Sequence, residues 1–202
     1  IGWSSICWGA GKKLNKSYSN QSYPLKELKG EAFIDILKTT YGWYSQEVNN
    51  SQLNLLDSHD VPRSLNTLMG DRSALKIALF LLFLQPGAPC IYYGTEVGLS
   101  GGEEPSCREC FPWMESWSLD LRPFIRSLVD FRKRLSVILS WELKVNYIDI
   151  DGLLFWFTPD LNSDSHQTNV ILVYVNRSRE SSLNLEMIAD KYFFLVGKFD
   201  LQ

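Results

Sequence analysis

Asp57, Ser58, His59 and Asp60 follow a short apolar run, and they hold the side chains in this sequence best suited to chemistry. Asp60 offers a carboxylate that can stabilise positive charge developing in a transition state. His59 can hydrogen-bond a ligand hydroxyl through a ring nitrogen. The competing reading is architectural: a strand-end Asp caps the turn that follows, with His59 packed nearby. Residue types alone leave both readings open. Ser58, His59 and Asp60 also supply the members of a hydrolytic triad. Neighbours along a strand point to opposite faces, so three consecutive residues cannot form the nucleophile–base–orienter chain.

Other reactive types have quieter readings. Cys7, Cys90, Cys107 and Cys110 are too few and too scattered for a disulfide scaffold. Cys107 and Cys110 form one C-x-x-C with no second pair, and His59 and His166 lack zinc-ligand spacing. Free thiols are expected, with Cys107 packed or paired locally with Cys110. Trp113 and Trp117 either stack on a sugar or pack their loop. Arg63 either braces Asp57 or Asp60 through a charge-assisted bond or faces solvent. Arg126, Arg132, Lys133 and Arg134 read as a solvated helix face. No oxygen-rich carboxylate loop suggests calcium, and neither metal nor cofactor is expected.

The composition is that of a globular chain. Of 202 residues, 45% are hydrophobic, which argues against disorder. Twenty basic and 23 acidic side chains leave −3, no footprint for nucleic acid. The longest apolar run, Ile77 to Leu84, falls far short of the ~20 residues of a spanning helix, so no membrane partner is expected. No signal peptide is visible, and a cytoplasmic location is expected. Ile1 in place of Met suggests that the true start lies upstream.

The elements that must position these residues follow from periodicity. A helix is expected over about 25–41, where Leu28, Phe33, Ile34 and Leu37 share a face. Residues 53–56 read as a strand that feeds Asp57 to Asp60 into a loop. A buried helix is expected over 71–84, with Asp71 or Ser73 as its cap and a Pro/Gly stop at 85–89. Cys90 to Tyr93 read as a second strand. A Gly-rich loop follows at 98–116, then a helix at about 118–138. Beyond residue 140, strands are expected at 143–150, 153–158, 169–176 and 192–197. Two βα units followed by an all-β part describe an α/β chain. A closed eight-fold barrel needs ~250 residues. The chain is therefore either a small open α/β layer or the back end of a barrel.

Three motifs resolve that choice by resemblance. Asn54-Leu-Leu-Asp57-Ser-His59-Asp60-Val-Pro-Arg63 resembles the seventh-strand motif of the α-amylase family, glycoside hydrolase family 13. Gln85-Pro-Gly-Ala-Pro-Cys-Ile-Tyr-Tyr-Gly-Thr-Glu96-Val-Gly98 resembles its eighth strand. Gly101-Gly-Glu-Glu104-Pro-Ser-Cys107-Arg108 and Phe111-Pro-Trp113 resemble the loop after it. The neopullulanase, cyclomaltodextrinase and maltogenic-amylase group is the most similar. Ile1-Gly-Trp-Ser resembles the segment after the sixth strand. The implied fold is the C-terminal part of a TIM (β/α)8 barrel over residues 1–139, then an antiparallel β-sandwich over 140–202.

The implied activity is retaining hydrolysis of α-glucosidic bonds in starch-like or maltodextrin substrates, through an oxocarbenium-like transition state. The resemblance makes Asp60 the catalytic carboxylate that supports this state. It makes His59, Glu104 and Arg108 substrate-binding residues. The family usually has Asp where Glu104 stands, and Asp is common at the position of Thr95, so no catalytic role falls to Glu96. The family's nucleophile lies in a G-x-R-x-D motif and its acid is a Glu, both upstream. Neither motif occurs before Leu53, so the isolated chain is expected to be inactive. The alternatives are a non-catalytic carbohydrate-binding or degenerate remnant, a transglycosylase of the same family, or a small unrelated α/β hydrolase with its own nucleophile elbow.

Overall fold

The computed structural model describes residues 2–10, 13–16, 25–135, 142–147, 152–158 and 171–177. The central element is helix α5, Arg72–Leu84, in which every side chain from Ala74 to Leu84 is buried. Asp71 starts it, its Oδ1 accepting from Ala74 N at 3.0 Å, so the N-cap is the first of the two expected residues. Gln85 ends it in an extended conformation, with Pro86 and Gly87 next.

Helices α1 (Gly2–Ala10), α2 (Gly30–Gly42), α3 (Gln46–Ser51), α4 (Ser64–Thr67) and α6 (Leu121–Leu135) complete the helical set. α1 and α6 both pack on α5, and α2 packs on α1. Phe80 of α5 stacks on Phe131 of α6 with centroids 5.7 Å apart, and Trp8 of α1 stacks on Phe33 of α2 at 5.8 Å. α6 lies where periodicity puts it. α2 starts at Gly30, later than the expected 25, so Leu28 is buried but precedes the helix, while Phe33, Ile34 and Leu37 are buried on one face of it. α1 is not foreseen. Its side chains are buried nearly all round, Ser4 and Ser5 included, so it shows no amphipathic period. Gly2 lets it approach β1 closely: a Cβ there would lie 2.0 Å from the Leu55 carbonyl oxygen.

Strands β1 (Leu53–Leu55) and β2 (Ala88–Cys90) are parallel, with Leu53 opposite Ala88 and Leu55 opposite Cys90. β2 begins and ends earlier than the expected Cys90 to Tyr93, because Tyr92 and Tyr93 turn out of the strand to hold Arg63. Since the strands are parallel and α5 connects them, the loops after both emerge at one end. That end carries every candidate site residue.

Strands β3 (Glu142–Tyr147), β4 (Gly152–Thr158) and β5 (Ile171–Asn176) form an antiparallel sheet in the order β3-β4-β5. Leu153, Phe155 and Val175 join the same apolar core as α1 and α2. Arg177 fastens the sheet there, Nη1 donating to the carbonyls of Trp8 at 2.6 Å and Leu28 at 3.0 Å. The strand expected at 192–197 lies outside the described residues, and the described sheet is one layer rather than a two-layer sandwich.

The basic cluster of α6 is not uniformly solvated. Arg132 is half-buried and turned inward. Its Nη1 donates to Phe83 O at 2.7 Å and Gln85 O at 2.6 Å, and its Nη2 donates to Gly87 O. These carbonyls lie at the end of α5 and in the turn that launches β2. Helix ends leave such acceptors without intrahelical donors; Arg132 supplies them.

Candidate active site

The loop after β1 divides its two carboxylates between support and chemistry. Asp57 is buried, and its Oδ2 accepts from Ser64 N, the first residue of α4, at 2.7 Å. Thr95 Oγ1 lies 3.3 Å from the same oxygen. Burial pushes the Asp57 carboxyl above the usual carboxylate range; the Ser64 donors, Arg63 and Thr95 pull the other way and do not cancel it. Asp57 thus fills the architectural role of a strand-end Asp serving the next turn, while His59 is exposed rather than packed. Asp60, three residues on, keeps 67% of its side chain open to water.

Four exposed polar residues meet at that tip. His59 Nε2 lies 3.2 Å from Asp60 Oδ1. Arg108 Nη2 reaches Asp60 Oδ1 at 3.6 Å and Glu104 Oε1 at 3.2 Å. Arg108 also donates through Nε to the His59 carbonyl at 3.0 Å. Every site residue named from sequence therefore belongs to one hydrogen-bonded and ion-paired cluster. The guanidinium is planar and many-donored, which lets one Arg serve the three partners at once.

Arg63 behaves differently from either expectation. It braces neither carboxylate by a direct bond and does not face solvent: it is wholly buried. Its Nη1 donates to Tyr93 O at 2.6 Å, and its guanidinium carbon lies 4.5 Å and 4.7 Å from the Tyr92 and Tyr93 ring centroids. Its backbone N–H donates to Gly101 O at 3.0 Å. One residue thus ties the β1 loop to two points of the β2 loop. Gly94 is needed beside it: its φ is +86°, and a Cβ there would press on Leu99 and on Arg63 Nη1. Sequence reasoning missed Tyr92 and Thr95 as supports and gave Arg63 other partners; only the run of two tyrosines after an apolar strand hinted at the aromatic pair.

The remaining candidates separate cleanly. Cys107 is buried and unpaired, with Sγ 3.3 Å from the His59 carbonyl, while Cys110 is exposed and also unpaired. Trp117 packs: its Nε1 donates to Pro112 O at 2.9 Å and its ring meets Phe111 edge-on. Trp113 does not pack. Gly98 to Gly102 spell G-x-S-x-G around Ser100. A nucleophile elbow sits between strand and helix; Ser100 lies in a loop after a 3-10 turn and pairs with Asn66 Oδ1 at 3.4 Å.

Comparison with known proteins decides the lineage. The profile described as "Alpha amylase, catalytic domain" matches residues 12–139. The chain belongs to the alpha-amylase family. A maltogenic alpha-amylase of Bacillus acidopullulyticus is 30% identical over 172 residues, covering 81% of this chain and 27% of that protein. An intracellular maltogenic amylase of Bacillus subtilis strain 168 is 39% identical over 106 residues, 52% of this chain and 18% of that protein. The debranching enzyme of Nostoc punctiforme superposes with a TM-score of 0.73 at 28% identity, covering 87% of this chain and 35% of that one. The chain spans roughly a quarter to a third of the length of two of these relatives. Its βα portion is consistent with part of the family's (β/α)8 barrel. No helix among the described residues is long and apolar enough to cross a membrane.

Proposed function

We propose that this chain forms one wall of the active site of a retaining α-glucan hydrolase. In this reading Asp60 supports the oxocarbenium-like transition state. His59, Glu104 and Arg108 hold sugar hydroxyls on the same side. The observation that carries the reading is the convergence of these four residues at the C-terminal end of two parallel strands, where barrel enzymes keep their chemistry. Retaining hydrolysis needs a nucleophile and an acid carboxyl ~5–5.5 Å apart, flanking the bond. One carboxylate cannot fill both roles, and the family's nucleophile motif is absent from this sequence. The isolated chain is therefore inactive. In this reading residues 1–139 belong to the barrel portion and 140–202 to an all-β C-terminal part, a division supported by the change from parallel to antiparallel pairing. The four unpaired thiols support a cytoplasmic location.

The test is release of reducing sugar from maltoheptaose. The chain alone should release none. Joined in frame to the N-terminal portion of the B. acidopullulyticus relative, it should hydrolyse the substrate. Asp60→Asn in that fusion should lower kcat by about 10²–10³-fold, the scale of removing one electrostatic group from a transition state. Turnover by the unfused chain that disappears in Asp60→Asn would overturn the proposed division of labour. Full activity of the fusion carrying Asp60→Asn would overturn the role of Asp60.

A further inference from the structure

Trp113 is 85% exposed, among the most exposed of the large apolar side chains in the described residues. A core tryptophan is highly buried, so a ring held this far into water is the informative kind of exposure. The loop around it is built, not loose. The 3-10 turn Met114–Ser116 follows it, with Ser116 N donating to Trp113 O at 3.0 Å. Trp117 pegs the turn through Pro112 O and Phe111, and the Arg122 guanidinium lies over the Trp117 ring at 5.0 Å. The two tryptophans therefore divide: one anchors the loop and the other is presented by it. None of the described residues takes the Trp113 indole N–H.

The loop also belongs to the site end of the fold. Tyr93 OH donates to Glu109 O at 2.7 Å, fixing its start beside Arg108. Trp113 is five residues from Arg108, so the two α-carbons are at most about 18 Å apart. Phe111 and Met114 widen the apolar surface around it. An indole face offers flat apolar area and one N–H donor at small entropic cost. A pyranose ring has the matching pattern, an apolar C–H face rimmed by hydroxyls. We propose that Trp113 is a stacking platform for a distal glucose unit of an α-glucan whose nearer units lie on His59, Asp60, Glu104 and Arg108. This rests on the glucan-site reading above and extends it to longer chains.

Titrating the 202-residue chain with maltose and with maltoheptaose, followed by calorimetry, tests the platform. Trp113→Ala should weaken maltoheptaose binding roughly tenfold, the scale of one aromatic contact, and leave maltose binding unchanged. Trp113→Phe should recover part of the loss. His59→Ala should weaken both ligands, which separates the two readings. Native-strength maltoheptaose binding by Trp113→Ala, with His59→Ala impaired, overturns the platform and leaves the site reading standing. Equal weakening of maltose and maltoheptaose by Trp113→Ala overturns a distal position. Sedimentation that shows native self-association abolished in Trp113→Ala, with glucan binding intact, makes the patch a contact between copies and overturns the proposal. No binding of either sugar by the native chain overturns the platform and leaves the site reading to the fusion assay.

Discussion

Replacing Arg132 by Met removes three hydrogen bonds from the turn that launches β2. Each has a charged donor, and such bonds are worth ~1.5–3 kcal/mol apiece. The gross loss is therefore about 4.5–9 kcal/mol. Two effects offset it. Arg132 is only half-buried, so the carbonyls of Phe83, Gln85 and Gly87 regain some water. Met also spares the folded state a partly desolvated guanidinium, a relief of a few kcal/mol. The net destabilisation should be about 3–4 kcal/mol. At ~2–4 °C per kcal/mol for a chain of this size, the melting temperature falls by about 6–16 °C. Urea unfolding should show a lower midpoint at unchanged slope. Arg132→Lys should fall between, since a single ammonium cannot fork to three carbonyls. A basic residue on a solvated helix face would instead change stability by under ~0.5 kcal/mol. A Met variant melting within about 2 °C of the native chain refutes the argument.

Two further substitutions probe the frame. Asp71→Ala removes the acceptor for Ala74 N and should cost ~1 kcal/mol, read as a lower urea midpoint; an unchanged midpoint means α5 needs no cap. Asp57→Asn addresses pH. Burial holds this carboxyl above its unfolded value, so the stability it contributes is fully present below the unfolded pKa and is lost as pH rises through the folded one. From about pH 4 upward, native stability should therefore fall relative to Asp57→Asn, whose amide oxygen can still accept from Ser64 N. Parallel pH profiles of melting temperature in the two proteins would remove Asp57 as the group responsible.

How much could be read in advance depended on whether local chemistry or distant contacts decided the residue. α5 was legible because its cap, its apolar run and its Pro-Gly stop are consecutive. The same holds for α2, where a 3.6-residue period marks one buried face. α1 was illegible: Gly2, Ser4, Ser5 and Gly9 are poor helix formers, and burial on all sides erases the period. β2 was placed too late because Tyr92 and Tyr93 have strand propensity, while their rings are committed to Arg63. The four residues named through motif resemblance lie together at one strand end. The role of Arg63 was not legible, since a cation's burial depends on rings thirty residues away. Arg132 was misread for the same reason: its partners are carbonyls, which no side-chain pattern announces.

The site combines a dry base with a wet tip, and the difference has a consequence for its chemistry. Asp57, Arg63, Ser64 and Thr95 are all buried, so the base of the β1 loop is shielded from water. His59, Asp60, Glu104 and Arg108 are exposed above it. Two unit charges 4 Å apart interact by ~1 kcal/mol in bulk water and ~4 kcal/mol at an effective dielectric of 20. A carboxylate as open as Asp60 thus has little power over a nearby cation until water is removed. Electrostatic stabilisation of a transition state is strong only in a water-excluded site. On the proposed reading a glucan would do part of this work, because a sugar ring lying over Asp60 and Arg108 would displace the water that weakens them. The rest must come from walls facing this one. Substitution at the tip should therefore harm turnover and ligand affinity with little change in folding. Substitution at the base should harm folding first and reach the chemistry only through a displaced loop. Asp57 and Asp60 stand three residues apart on opposite sides of that division.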